Sequence, residues 1–248
     1  AAPQTPGAPL GPTQVTAGAG AARPCLHNLR RQRIAHGNAK RKQVAITIDD
    51  GPHPDFTPRL LETLARYHVR ATFFVVGRMA ARYPQLIRAI VAEGHCLGNH
   101  TYSHADLHAL RDDQVDAEIT RCAAVLRDIT GQCIHLFRPP YGHYSERTLD
   151  RSVALGYTMV LWSVHSRDIG GLSARQIEQG VMRRVKPGSI VLFHDGAPQT
   201  LQALPRILAR LADRGYQFLT ADEMLAQGDN GRSKKTGRRP QSVRGRIP

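Results

Sequence analysis

The side chains best suited to chemistry sit in short stretches, most of them at the ends of apolar runs. Thr47-Ile48-Asp49-Asp50-Gly51 closes the run that starts at Val44 and brings two carboxylates to the mouth of a buried strand. Neighbouring strand residues point to opposite sides, so the two acids are free to serve different tasks. Taken alone, Asp49-Asp50-Gly51-Pro52 also reads as a turn. His100-Thr101-Tyr102-Ser103-His104 sets two imidazoles four residues apart. On one face of a helical turn, that spacing lets two His bind one metal. With one of the paired acids they make an Asp-His-His set that leaves room for water. A hydrolytic Zn²⁺ suits such a set, with Co²⁺ or Ni²⁺ as alternatives. The other acid would then take the proton of the attacking water. A cation keeps two adjacent carboxylates ionised, and Arg138 is a candidate second cation.

His194 ends the run Ile190-Val191-Leu192-Phe193 and is a candidate general acid, because His titrates nearest neutrality. Asp168 is a candidate to hold its second ring nitrogen, with Asp195 as the rival. Trp162, the single tryptophan, is a candidate for stacking on a sugar, with core packing as the other reading. His95, His108, His135, His143 and His165 have no partner that the sequence identifies and read as bystanders.

The elements that must position these residues alternate short apolar runs with amphipathic helices, the pattern of parallel βα units. Strands are expected at 44–48, 71–76, 96–97, 134–137, 157–164, 189–193 and 216–219. Helices are expected at 58–67, 79–93, 111–130, 146–155, 173–185, 201–214 and 221–225, with Gly131 closing the third. Seven such units close into an α/β barrel, whose chemistry belongs at the C-terminal ends of the strands.

Composition bounds the rest. The 248 residues suit one large core flanked by tails, with boundaries expected at 1–43, 44–228 and 229–248. Seven Lys or Arg and no acid precede residue 44, and seven more without an acid fall in residues 231–248. Together they equal the formal net charge of +14, so the central region is neutral. Such basic, Pro/Gly-rich ends are expected to be disordered, either contacting polyanions weakly or standing solvated with no partner. No run of 18 apolar residues spans a membrane. The Ala/Pro/Gly-rich start has no apolar leader core, which suits a mature exported chain and equally a trimmed one. Cys25, Cys96, Cys122 and Cys133 show no Cys-x-x-Cys spacing, which argues against structural zinc. Cys122 and Cys133, flanking an expected helix end, are the favoured bridge.

From Val44 to Leu225 the chain resembles the polysaccharide deacetylases with a NodB-like domain, carbohydrate esterase family 4. The likeness rests on five stretches in linear order: Thr47-Ile48-Asp49-Asp50-Gly51, His100-Thr101-Tyr102-Ser103-His104, Arg138-Pro139-Pro140-Tyr141, Ser166-Arg167-Asp168 and Leu192-Phe193-His194. The resemblance implies a deformed (β/α) barrel and a metal-dependent N-deacetylase acting on N-acetylglucosamine-type polymers. It implies that Asp50, His100 and His104 bind the metal, that Asp49 is the general base, and that Arg138 orients it. It further implies that the Tyr141 backbone N–H stabilises the oxyanion, and that His194 is the general acid with Asp168 as its orienter. Leu192 would line the acetyl pocket. His165 and Ile169 depart from the family's usual Asp and Trp, which bears on substrate preference. The alternatives are an O-acetyl esterase and a non-catalytic glycan- or polyanion-binding protein.

Overall fold

A computed structural model describes residues 33–229. The ends at 1–32 and 230–248, where most of the expected tails fall, lie outside the described residues. Nine strands are found among those described: β1 (Arg33–Ile34), β2 (Gln43–Asp49), β3 (Thr72–Val75), β4 (Cys96–Asn99), β5 (Leu136–Phe137), β6 (Thr158–Val160), β7 (Val164–His165), β8 (Ser189–His194) and β9 (Gln217–Leu219). Between them run α1 (Thr57–Arg66), α2 (Gly77–Arg82), α3 (Pro84–Ala92), α4 (Asp112–Thr130), α5 (Glu146–Ala154), α6 (Ala174–Arg184) and α7 (Pro198–Asp213), and α8 (Ala221–Asp229) follows β9.

The strands form one parallel, curled sheet in the order β1-β6-β5-β4-β3-β2-β8-β7, with β9 also on β2. The sheet stays open between β1 and β7, an α/β half-barrel. Every residue of β2 and of β8 is buried, as expected of parallel strands covered on both faces. The pleat sorts them. Val44, Ile46 and Ile48 pack outward with Phe73, Val191, Phe193 and the helices. Ala45, Phe74, Ile190 and Val160 fill the barrel interior, closed below by Met224 of α8. Period-two alternation therefore turns Thr47 and Asp49 of β2, and Leu192 and His194 of β8, to the inside. Helix α7 seals the outside with Leu204, Ile207, Leu208 and Leu211, all fully buried. Each such side chain contributes about 1.5–3 kcal/mol of burial.

Four local expectations are corrected. The helix expected over 79–93 is two helices, because Tyr83 precedes Pro84 and leaves the helical region at φ −128°, ψ 57°. The strand expected over 157–164 is β6 and β7, which pair with different neighbours. The link between them crosses the opening in the sheet, Leu161 N–H donating to Ile34 C=O and Ser163 N–H to Ile190 C=O. Strand β1 lies ahead of Val44, so the sheet begins earlier than the boundary at residue 44. Cys122 is free, buried in the middle of α4 against Val75 C=O, while Cys133 is disulfide-bonded. Cys122 lies more than two helical turns before the C-cap at Gly131, too far from Cys133 for the short Cα separation a bridge needs.

Candidate active site

The two acids part ways at the end of β2. Asp49 keeps the strand conformation and faces inward, 3% exposed. Asp50 turns out of the strand with φ 74°, a left-handed conformation that Asp tolerates better than most residues. Arg138, just beyond β5 and fully buried, reaches across the interior to Asp49. Its Nη1 donates to Asp49 Oδ1 at 2.7 Å and to Thr47 Oγ1 at 2.9 Å. Its Nε donates to Val160 C=O and Nη2 to Leu161 C=O. The guanidinium lies 4.1 Å from the Phe74 ring centre and 5.6 Å from that of Trp162. Burial lowers the Arg138 pKa from the usual guanidinium value, and the Asp49 charge opposes that shift. With Oδ1 taken by Arg138, Oδ2 is the free oxygen of Asp49, and it sits 3.7 Å from His100 Nε2.

The two imidazoles are held by a loop rather than by the expected helical turn. Thr101 and His104 both take positive φ, 65° and 63°, and no helix passes through them. The loop is pinned from several sides: Thr101 N–H donates to Asn99 Oδ1, Ser103 bonds Glu118 twice, and Thr101 and Tyr102 carbonyls accept from Gly77 and Arg78 N–H. Pinning brings His100 Nε2 to 3.3 Å and His104 Nε2 to 3.1 Å from Asp50 Oδ1. Burial works to raise the Asp50 pKa, but hydrogen bonds and charge from the two imidazoles outweigh it, and the carboxyl falls well below the usual range.

The residues fit a divalent cation. Their donor atoms lie within 4.8 Å of one another. His100 Nδ1 sits 2.7 Å from Arg138 C=O, an acceptor only, so Nδ1 carries the proton and Nε2 offers its lone pair to the cluster. One carboxylate and two imidazoles are donors that zinc, cobalt and nickel accept.

On β8, beside β2, His194 aligns with Asp49 in the strand register. Its Nδ1 lies 2.8 Å from Asp168 Oδ1, and its backbone N–H donates to Asp168 Oδ2 at 2.7 Å. Ser166 and Thr200 hydroxyls complete the grip on Asp168. Burial works to lower the His194 pKa, but the Asp168 hydrogen bond and charge outweigh it, so the net shift is upward. Asp168 itself moves down, burial opposing and His194 prevailing. Asp195, the rival partner, faces away and accepts from Thr57, and burial raises its pKa to about 6.

Tyr141 and Leu192 take up different places. Tyr141 sits in a short turn at φ 61°, the residue 60% exposed and its ring 4.9 Å from the His104 ring. Its backbone N–H bonds to no other described residue and is free for a ligand. Leu192 lies inward on β8, buried, opposite His165 of β7. Trp162 is half-buried and packs on the Arg138 guanidinium and, edge-on, on His165. Ile169 is 65% exposed.

The sequence leaves several contributors unnoticed. Thr47, Asn99 and Thr200 hold Arg138, the His loop and Asp168, yet no spacing signal separates them from ordinary polar residues. Of the five histidines read as bystanders, His165 lies beside the site, its ring 5.8 Å from that of His194. His135 pairs with Asp222 at the far end of the barrel.

A polysaccharide deacetylase family model matches residues 36–160. A peptidoglycan-N-acetylglucosamine deacetylase of Bacillus cereus is 36% identical over 193 residues, 76% of this chain and 70% of that protein. A chitooligosaccharide deacetylase of Sinorhizobium fredii is 40% identical over 187 residues, 70% of this chain and 87% of that protein. Among solved structures, the Bc1960 peptidoglycan N-acetylglucosamine deacetylase superposes with a TM-score of 0.76 at 33% identity, covering 78% of this chain and 92% of that one. BA3943, a carbohydrate esterase family 4 pseudoenzyme from Bacillus anthracis, superposes with a TM-score of 0.75 at 28% identity, covering 78% of this chain and 68% of that one.

Proposed function

The chain belongs to the polysaccharide deacetylase family, and on that premise we propose that it hydrolyses the N-acetyl groups of N-acetylglucosamine units in a polysaccharide. Peptidoglycan and chitin-type oligomers are the glycans its relatives' names point to. Asp50, His100 and His104 would hold a divalent cation, Zn²⁺ by preference and Co²⁺ or Ni²⁺ as substitutes. When bound, such an ion supplies Lewis acidity toward the acetyl oxygen and the attacking water. Asp49 Oδ2 takes a proton from that water as its oxygen adds to the acetyl carbon. Arg138 pairs with Asp49 Oδ1 and so fixes which oxygen faces the water. The free N–H of Tyr141 donates to the acetyl oxygen as negative charge gathers there. His194 then gives the Nε2 proton to the amine nitrogen as the carbon–nitrogen bond breaks, leaving acetate and a free amine. An amide needs that proton, since an unprotonated amine is a poor leaving group. Leu192 supplies an apolar wall for the acetyl methyl, and Trp162 a ring edge at the pocket. A wall or chitin-type glycan carries with it an exported location.

One observation carries the reading. A carboxylate held by a buried guanidinium and an imidazole held by a buried carboxylate stand side by side on β2 and β8, next to the three-donor cluster. Acetate release from N-acetylglucosamine oligomers and from peptidoglycan tests it, using chelated protein, protein with Zn²⁺ or Co²⁺ restored, and Asp50→Ala. Activity should vanish on chelation, return with metal and be absent from Asp50→Ala. Metal-loaded protein that releases no acetate from any of these glycans would overturn the reading and align the chain with pseudoenzymes such as BA3943.

The raised His194 pKa gives a second expectation. An acid must be protonated to act, so a raised pKa extends activity toward higher pH. Asp168→Asn removes the carboxylate that raises it, so the alkaline limb of kcat/KM should move to lower pH. An alkaline limb that stays in place would show that Asp168 does not set the acid.

A further inference from the structure

Seven exposed cations gather at the end of the barrel opposite the candidate site. In a parallel sheet all strands start at one end, and the segments leading into three neighbouring strands are basic here. Lys40, Arg41 and Lys42 lead into β2; Arg183, Arg184 and Lys186 lead into β8; Arg214 leads into β9. Backbone contacts join the three segments into one surface. Gly37 N–H donates to Gly188 C=O and Gly188 N–H to Gln43 C=O, both at 2.7 Å, and Gln217 N–H donates to Lys42 C=O at 2.9 Å. Arg214 Nη1 donates to Met182 C=O at 3.0 Å, which brings the ends of α6 and α7 together.

None of the seven has a carboxylate partner among the described residues. Glu178 and Glu223 are engaged by Arg210 and Arg70, and Asp213 is an exposed acid beside Arg214. Cations at helix C-termini offset the helix dipole, which accounts for Arg183, Arg184 and Arg214. It does not account for Lys40, Arg41, Lys42 or Lys186, which lie outside helices. The described chain ends in α8 close to this surface, where Gln227 Oε1 accepts from Arg41 and Gln43. The sequence then adds seven more Lys or Arg between residues 231 and 248, without an acid.

We propose that this face docks a linear polyphosphate chain through screened charge, while the opposite end of the barrel is free to work on a neutral glycan. A run of cations without carboxylate partners, of which Lys42 lies over the half-buried Tyr216 ring, and with no exposed large hydrophobic side chain among them, suits a chain of phosphates better than a bilayer. The large hydrophobic side chains exposed among the described residues, Tyr141 and Ile169, lie at the other end, so this face has none to insert into lipid. The docking does not depend on the deacetylase reading.

The test is fluorescence anisotropy of end-labelled, long-chain inorganic polyphosphate with the full chain and with an R183E/R184E/K186E variant. Affinity of the native chain should fall steeply as salt rises, and the variant should bind at least about tenfold more weakly. Its melting temperature and its acetate release from a neutral N-acetylglucosamine oligomer should match those of the native chain. If the triple variant melts early, K40E/K42E on the loop before β2 carries the same test. Equal affinity of a folded variant and the native chain overturns the proposal. So does binding to phosphatidylglycerol vesicles without binding to polyphosphate, which would assign the face to a lipid surface.

Discussion

Asp49→Asn is expected to lower kcat for acetate release about 10³-fold, within the usual range for loss of a positioned general base, while leaving the metal content unchanged. Asparagine has almost the shape of aspartate, and its carbonyl oxygen can still accept from Arg138 Nη1, now at 2.7 Å from Asp49 Oδ1. Its amide cannot take a proton from water. The donor cluster of Asp50, His100 and His104 is untouched, so metal stoichiometry separates loss of the base from loss of the ion. Substrate binding relies on other groups, so KM should move little, and the loss should fall on kcat. Because the substitution leaves Arg138 without a full counter-charge, some stability is lost as well, and assays belong well below the melting temperature. A variant retaining a tenth or more of the native kcat with metal bound would remove Asp49 from the role of base and point to water activated without it.

The parts of this site that were legible in the sequence are those where a functional residue type coincides with the end of an apolar run. Strands β2 and β8 are buried from end to end, so their apolar character survives in the sequence and their last residues, Asp49 and His194, stand out. The alternation that separates Asp49 from Asp50 is likewise a property of any strand. Contacts made by long-range closure were not legible. The link from β6 to β7 is as apolar as a strand, and only the open edge it crosses decides that it is not one continuous strand. Thr47 and Thr200 become part of the site because Arg138 and Asp168 happen to reach them. Two of the corrected features follow from local rules already present in the sequence. Pro84 restricts Tyr83 and breaks the helix whatever the apolar spacing around it. Cys122 falls on the inward stripe of α4 with Val115, Ile119 and Leu126, which already placed it in the core and away from Cys133.

Arg138→Met should destabilise the fold by about 3–5 kcal/mol, the usual cost of removing one partner from a buried ion pair. For a domain of this size that corresponds to roughly 10 °C in Tm. Methionine fills much of the volume and keeps the contact with Phe74, so lost packing is a minor part of the effect. What remains is a buried carboxylate at Asp49 without a cation, and two carbonyls, of Val160 and Leu161, without donors. Arg138→Lys should recover only part of the loss, because one ammonium cannot reach Asp49, Thr47, Val160 and Leu161 together. The double variant Arg138→Met/Asp49→Leu distinguishes structure from chemistry. Removing both charges abolishes the unpaired carboxylate, so stability should rise above that of Arg138→Met alone, measured by urea unfolding, while acetate release stays absent. Recovery of stability without activity would mean that the buried pair is retained for the reaction, at a cost to the fold. If the double variant is no more stable than Arg138→Met, the carbonyls of the β6–β7 link are what Arg138 holds in place, and its contribution to Asp49 is secondary.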